Sequence, residues 1–157
     1  MKTLIVYGSK YGFTTDCVHL LQSNLSGEVT IMDIQQVTTL LNVSDFETVI
    51  IGGSVYVGRV SKKLREFCEK NLDALRQKRI GLFLCCALTE NEAKYFSDNF
   101  PTPLLESAKV IKTFGSEARL EKMSLMDKTI IKAVTKGDYS NFKISEDNLE
   151  AFAKEMV

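Results

Sequence analysis

Five short apolar runs, interleaved with stretches of helical spacing, constrain this chain more than any other feature. "TLIVY" at 3–7, "TVIIGG" at 48–53 and "IGLFLCC" at 80–86 are apolar on both faces, as strands buried inside a parallel sheet are. "AKVIKTF" at 108–114 adds a fourth, and "EVTIMDI" at 28–34 alternates, which places it near an edge. Strand followed by helix in this rhythm predicts an α/β fold, a parallel sheet covered by helices on both faces. In such sheets ligands gather outside the carboxyl ends of the strands, where strand order reverses. The loops after residues 7, 53 and 86 are therefore where chemistry is expected.

The intervening segments carry helix signals. After Thr14, residues Cys17, Leu20, Leu21 and Leu25 recur at spacings of three and four and form one apolar stripe. Ser61 is a natural N-cap for 61–71, with Leu64, Phe67 and Cys68 on one side. Thr89 and Glu92 make a capping-box signature, and Pro101 and Pro103 end that helix. Leu120, Met123, Met126, Ile130, Ile131 and Val134 fall near helical spacing before Gly137, a C-cap residue. Ser145 opens a last helix whose Leu149, Phe152, Ala153 and Met156 share a face.

Composition narrows the function classes. At 157 residues the chain reads as a single domain, 1–157, with enough length for one core. Twenty Lys and Arg balance twenty Asp and Glu, so no electrostatic footprint for nucleic acid or an anionic membrane is present, nor a strongly acidic docking face. No run approaches the roughly 20 apolar residues of a membrane span, and "MKTLIVYGSK" lacks the apolar length of a signal peptide. Cys17, Cys68, Cys85 and Cys86 show neither CxxC nor Cys/His metal spacing, so no metal site is expected and the reading is a reduced, cytoplasmic protein.

The opening loop, "YGSKYGFT" at 7–14, joins a strand directly to a helix start. Ser9, Thr14 and Thr15 supply hydroxyls, Gly12 permits a tight path, and the first helical N–H groups lack internal partners, which together suit a phosphate held mainly by neutral donors. Walker and GxGxxG patterns are absent. On spacing alone the same loop reads equally as a capped helix start without a ligand, and Lys10 either pairs with phosphate or points to water. In "GGSVYVGR" at 52–59, glycines allow close approach to a flat ring and Tyr56 offers an aromatic face; an ordinary glycine-rich turn has the same signature. In "CCALTEN" at 85–91 the cysteines read as small buried hydrophobes rather than reactive thiols. His19, off the apolar stripe, reads as a surface residue, and Lys62, Lys63 and Arg65 as a solvated helix face. No nucleophile–base set can be built, so no catalytic side chain is named.

Together these loops resemble those of flavodoxins. Ser9-Lys10-Tyr11-Gly12-Phe13-Thr14 is similar to the family's FMN phosphate loop, a hydroxyl residue, two variable positions, then Gly-x-Thr. The resemblance implies a three-layer sandwich with a five-stranded parallel sheet of order 2-1-3-4-5, phosphate on this loop, and the isoalloxazine between Ser54, Val55, Tyr56, Val57 and Gly58 on one side and Cys86, Ala87, Leu88 and Thr89 on the other. Within that group, "IIGGSVYVGRVSKKLREFCEKN", "LFLCCALTENEA" and "TFGSEARLEKMSLMDKTIIKAVTKG", the last with Asp127 near a helix start, are similar to the quinone-dependent protoporphyrinogen oxidases of flavodoxin type. That likeness implies FMN oxidising a porphyrinogen and passing electrons to a quinone, a step in heme biosynthesis compatible with peripheral membrane contact. An electron carrier docking on redox partner proteins is the alternative, although balanced charge gives it little steering. A regulatory or scaffold domain that lost its cofactor is a second alternative; receiver domains of the same sheet cluster acids at strand ends, whereas the first strand here ends in Gly8-Ser9.

Overall fold

All five apolar runs form strands, and they pair side by side in parallel in the order β2-β1-β3-β4-β5. The structure, a computed structural model, describes residues 1–37, 39, 41–86, 89–116, 119–137 and 143–157, with the backbone alone of Thr89 and Val134. Its elements are β1 (Lys2–Gly8), α1 (Phe13–Asn24), β2 (Glu28–Asp33), β3 (Thr48–Ser54), α2 (Lys62–Lys70), α3 (Leu72–Leu75), β4 (Arg79–Cys85), α4 (Glu92–Asn99), α5 (Thr102–Ser107), β5 (Val110–Thr113), α6 (Leu125–Thr135) and α7 (Glu146–Met156). The alternating run is β2, at an edge as its pattern requires.

Strand side chains alternate between faces, so each run feeds two cores. Leu4, Val6, Val49, Ile51, Leu82 and Leu84 pack against Leu64 and Phe67 of α2, Phe96 of α4 and Leu104 of α5. On the opposite face Ile5, Tyr7, Ile50, Phe83 and Cys85 meet Cys17, Val18 and Leu21 of α1 and Leu149, Phe152 and Met156 of α7. The result is the three-layer sandwich. Gly81 in β4 marks the closest approach: a Cβ there would lie 2.6 Å from Phe152 Cζ and 2.7 Å from Met156 Sδ, so the missing side chain is what lets α7 seat.

Several local expectations are corrected. Leu20 is exposed and Val18 is buried in its place, because α1 starts at Phe13 and turns its inner face through Cys17, Val18 and Leu21. A 3-10 turn at Thr89–Asn91 precedes α4, which puts Asn91 rather than Thr89 at the cap. Pro101 not only ends α4; with Pro103 in the first turn, it opens α5, where a missing N–H costs nothing. The single long helix expected from Leu120 is a 3-10 turn at Leu120–Lys122 followed by α6, capped by Ser124. Among the described side chains its apolar residues do not form a core stripe: Leu125, Met126 and Ile130 are exposed, and of those described only Met123, before the helix, is buried. Ser145 precedes α7 without a side-chain cap; its N–H instead donates to the Phe114 carbonyl at 2.8 Å. Among the described residues no helix is long and apolar enough to cross a membrane.

Candidate functional site

The carboxyl ends of β1, β3 and β4 lie side by side, with Gly8 opposite Gly53 and Ser54 opposite Cys85. This register brings the three loops together on one rim.

In the opening loop the Gly12 N–H donates to Ser9 Oγ at 3.0 Å, closing a tight turn. Gly12 then takes φ 92°, a left-handed conformation that frees α1 to start at Phe13. No side chain caps that start, so the first N–H groups of α1, from Phe13 to Thr15, face the loop without intrahelical acceptors. Thr14 is fully buried, and its hydroxyl donates to Ser54 Oγ at 3.1 Å, tying the first loop to the second. Beside the neutral donors, two cations sit over this loop, each paired with a carboxylate. Lys10 pairs with Asp127 at 2.5 Å. Arg119 pairs with Asp16 and donates to the Tyr11 carbonyl at 3.3 Å, and a Cβ on Gly12 would lie 2.9 Å from its Nη1. Tyr11 donates its hydroxyl to Asp127, whose carboxyl is held below the usual carboxylate range by Lys10 first and by Tyr11 next.

The second loop folds back on itself, with reciprocal backbone bonds between Tyr56 and Arg59 of 2.9 and 3.0 Å. Val57 and Gly58 at its tip both have positive φ, 51° and 77°, as a type I′ turn requires. A β-branched residue in that region is strained, and Val57 holds it while 78% exposed. Asn99 at the end of α4 clamps the loop: its Oδ1 accepts from the Val60 N–H at 3.0 Å and its Nδ2 donates to the carbonyls of Gly58 and Tyr95 at 2.9 and 2.8 Å. Tyr56 is half-buried, meets the Tyr11 ring edge-on at 5.5 Å, and has Lys10 Nζ 4.8 Å from its centroid. Burial, then Tyr11 and Asp127, push its hydroxyl well above the ordinary phenol range, so it stays protonated.

In the third loop Cys85 and Cys86 are buried. Burial foremost raises the Cys86 thiol to about 12, with Cys85 and Glu92 adding to it, and burial beside Cys17 raises Cys85 in the same direction. Both are protonated thiols rather than nucleophiles. Ala87, Leu88 and the side chain of Thr89, expected at the ring, lie outside the described residues. His19 is exposed, as are Lys62 and Lys63, but Arg65 is half-buried rather than solvated.

Between the loops lies a cavity of about 200 Å³. Tyr11, Phe13, Ser54, Val55, Tyr56, Val57, Gly58, Cys85 and Cys86 line it, whereas Ser9, Lys10, Gly12 and Thr14 of the opening loop do not. Residues that the loops alone did not suggest complete the wall: Tyr95 from α4, Met123, and Asp127, Ile130, Ile131 and Thr135 from α6. A flat aromatic ligand fits walls of this kind, mostly apolar with a few hydroxyls, and an anionic group fits the uncapped helix start.

A family model described as a flavodoxin domain matches residues 4–145. No curated protein matches the chain in sequence. Among solved structures, a flavodoxin of Streptococcus pneumonia TIGR4 is 16% identical and superposes with a TM-score of 0.62 over 99% of this chain and 97% of its own. Flavodoxin 1 from Bacillus cereus is 13% identical, with a TM-score of 0.52 over 84% of this chain and 98% of its own. A flavodoxin from the domain Archaea, also 13% identical, gives 0.52 over 99% of both chains. These likenesses establish a shared fold.

Proposed function

The chain belongs to the flavodoxin domain family, and on that premise we propose that it binds FMN and carries electrons between redox partner proteins. One observation supports the cofactor above the others: an uncapped helix start at Gly12, with Ser9 and two cations beside it, adjoins an aromatic-walled cavity. The N–H groups from Phe13 to Thr15, with the hydroxyl of Ser9 and that of Thr14 once it turns from Ser54, would hold the phosphate, and Tyr56, Val55 and Cys86 would flank the ring. Bound there, FMN supplies one- and two-electron transfer. The protein's part is to hold the ring in apolar surroundings beside a protonated Tyr56 and the unionised thiols of Cys85 and Cys86, which sets the electrostatics around it. Val57 and Ile130 line the cavity and are also exposed, leaving the site accessible to a partner at the surface.

A carrier accounts for a site that has no assembled nucleophile–base pair among the described residues, and the structures of similar fold quoted above are themselves named flavodoxins. The narrower reading, porphyrinogen oxidation with a quinone acceptor, draws on one observation, the exposed apolar Leu125 and Met126 at the start of α6 beside the cavity. Titrating the ligand-free protein with FMN and following flavin fluorescence tests the cofactor; one FMN quenched per chain is expected, and no quenching at any concentration contradicts it. With FMN loaded, rapid reduction by a flavodoxin reductase without porphyrinogen turnover supports the carrier, and quinone-dependent turnover of protoporphyrinogen replaces it with the enzyme.

A further inference from the structure

Helix α6 is attached to the rest of the molecule in an unusual way. α7, of the same length, buries Leu149, Phe152, Ala153 and Met156, whereas none of the described side chains of α6 is buried. An isolated helix of this length is marginal in water, so its position needs another source. Its first turn supplies one. Asp127 accepts from Lys10 at 2.5 Å and from the Tyr11 hydroxyl, while the Ser124 N–H donates to the same Tyr11 oxygen at 3.2 Å. Ser124 Oγ in turn accepts from the Asp127 N–H at 3.1 Å and fixes the turn. The opening loop therefore holds α6 through polar groups, and α6 walls the cavity with Asp127, Ile130 and Ile131.

A carboxylate and a phosphate monoester compete for the same donors. Both are oxyanions that take an ammonium and a hydroxyl, and the phosphate carries the larger charge. The Lys10 side chain is 48% exposed, so its ammonium can turn from Asp127 to another anion without being uncovered first. Once a phosphate stands at Lys10, the Asp127 carboxylate loses its counter-ion and meets a like charge.

We propose that Asp127 stands in for the ligand phosphate, holding Lys10 and Tyr11 in the ligand-free chain and yielding them when a phosphorylated flavin enters, so that the first turn of α6 is a strap released by phosphate. This rests on the reading of the site as an FMN site. Lys10 is then the residue that distinguishes FMN from riboflavin, which has no phosphate to exchange for Asp127. The backbone donors of the loop are the same in both states; what changes is the partner of Lys10 and of the Tyr11 hydroxyl.

The test titrates wild type, Asp127→Asn and Lys10→Gln with FMN and, separately, with riboflavin at one ionic strength, following flavin fluorescence. Asp127→Asn keeps an acceptor for Tyr11 and removes the competing charge; because Asp127 also lines the cavity the readout is the ratio of the two affinities, and the preference for FMN over riboflavin is expected to rise about two- to fivefold. Lys10→Gln is expected to weaken FMN about fivefold or more and to leave riboflavin nearly unchanged. Amide exchange across 125–135 in the ligand-free protein, faster in Asp127→Asn than in wild type, reads the loosened strap without any flavin. An FMN-to-riboflavin preference unchanged in Asp127→Asn, whether the two affinities move together or not at all, overturns the strap while leaving the FMN reading intact. Failure of every form to bind FMN removes that reading and the strap with it.

Discussion

Replacing Gly81 by alanine tests whether the sheet is packed as tightly beneath α7 as its geometry indicates. The new methyl carbon would sit 2.6 Å from Phe152 Cζ and 2.7 Å from Met156 Sδ, against an ordinary carbon contact of about 3.5–4.0 Å. Met156 ends in a flexible thioether and can give way. Phe152 cannot, because it is fully buried, edge-on to Phe114 at 5.2 Å and to Phe83 at 6.2 Å, while those two rings stack at 4.6 Å. Relief must therefore come from shifting α7 off β4. Overpacking of this kind costs about 1–3 kcal/mol, and the reduced freedom of the unfolded chain returns about 0.4–1 kcal/mol. A net loss of about 1–2 kcal/mol lowers the melting temperature by about 2–8 °C for a chain of this size. Thermal unfolding by circular dichroism measures it, and adding Phe152→Leu should recover part of the loss. An unchanged or raised melting temperature refutes the packing argument.

Asn99→Ala strips the clamp from the second loop and leaves the Val60 N–H without its acceptor; a loss of about 2–3 kcal/mol in urea unfolding, with weaker FMN binding, is expected, and a neutral result contradicts the clamp. Thr14→Val keeps the buried shape but removes the hydroxyl that holds Ser54 in the free chain and would turn to the phosphate. A bond to a charged acceptor of about 1.5–3 kcal/mol, less about 0.5–1.5 kcal/mol for the Ser54 bond given up, predicts a rise in the Kd for FMN of about tenfold, larger than the rise for riboflavin. The thiols of Cys68 and Cys86 are raised from 9.0 to about 12, so the unfolded chain loses these protons first as pH rises. Their contribution is complete below about 9 and falls between about 9 and 12, at up to about 1.4 kcal/mol per pH unit for each group. Urea unfolding at pH 8 and pH 10 checks the sign, and a stability that holds or rises contradicts it.

The parts of this molecule that were readable from sequence are those set by local spacing. A run apolar on both faces has only a buried central strand to occupy, so β1, β3 and β4 follow from Leu4-Ile5-Val6 and their counterparts, and the three loops follow from the strand ends. Ser61 caps α2 because its hydroxyl meets an N–H only three residues on. Long-range partners carry no such local mark. Nothing near Arg119 in sequence says that it lies over Gly12, and Asn99 reaches the second loop only because α4 ends beside it. The spacing of Met126 and Ile130 suggests a core stripe, yet α6 is anchored by Asp127 instead, and those side chains stay exposed. Periodicity reports an apolar face but not whether anything covers it.

The backbone amides of Phe13, Thr14 and Thr15 report most directly on whether the first turn of α1 receives a phosphate. In a nitrogen-15 NMR titration of the ligand-free protein, FMN should move these resonances to saturation at one equivalent, and riboflavin should move the resonances of Tyr56 and Val57 while leaving the three nearly in place. FMN that binds without disturbing them, or a protein indifferent to FMN, contradicts the assignment of this loop.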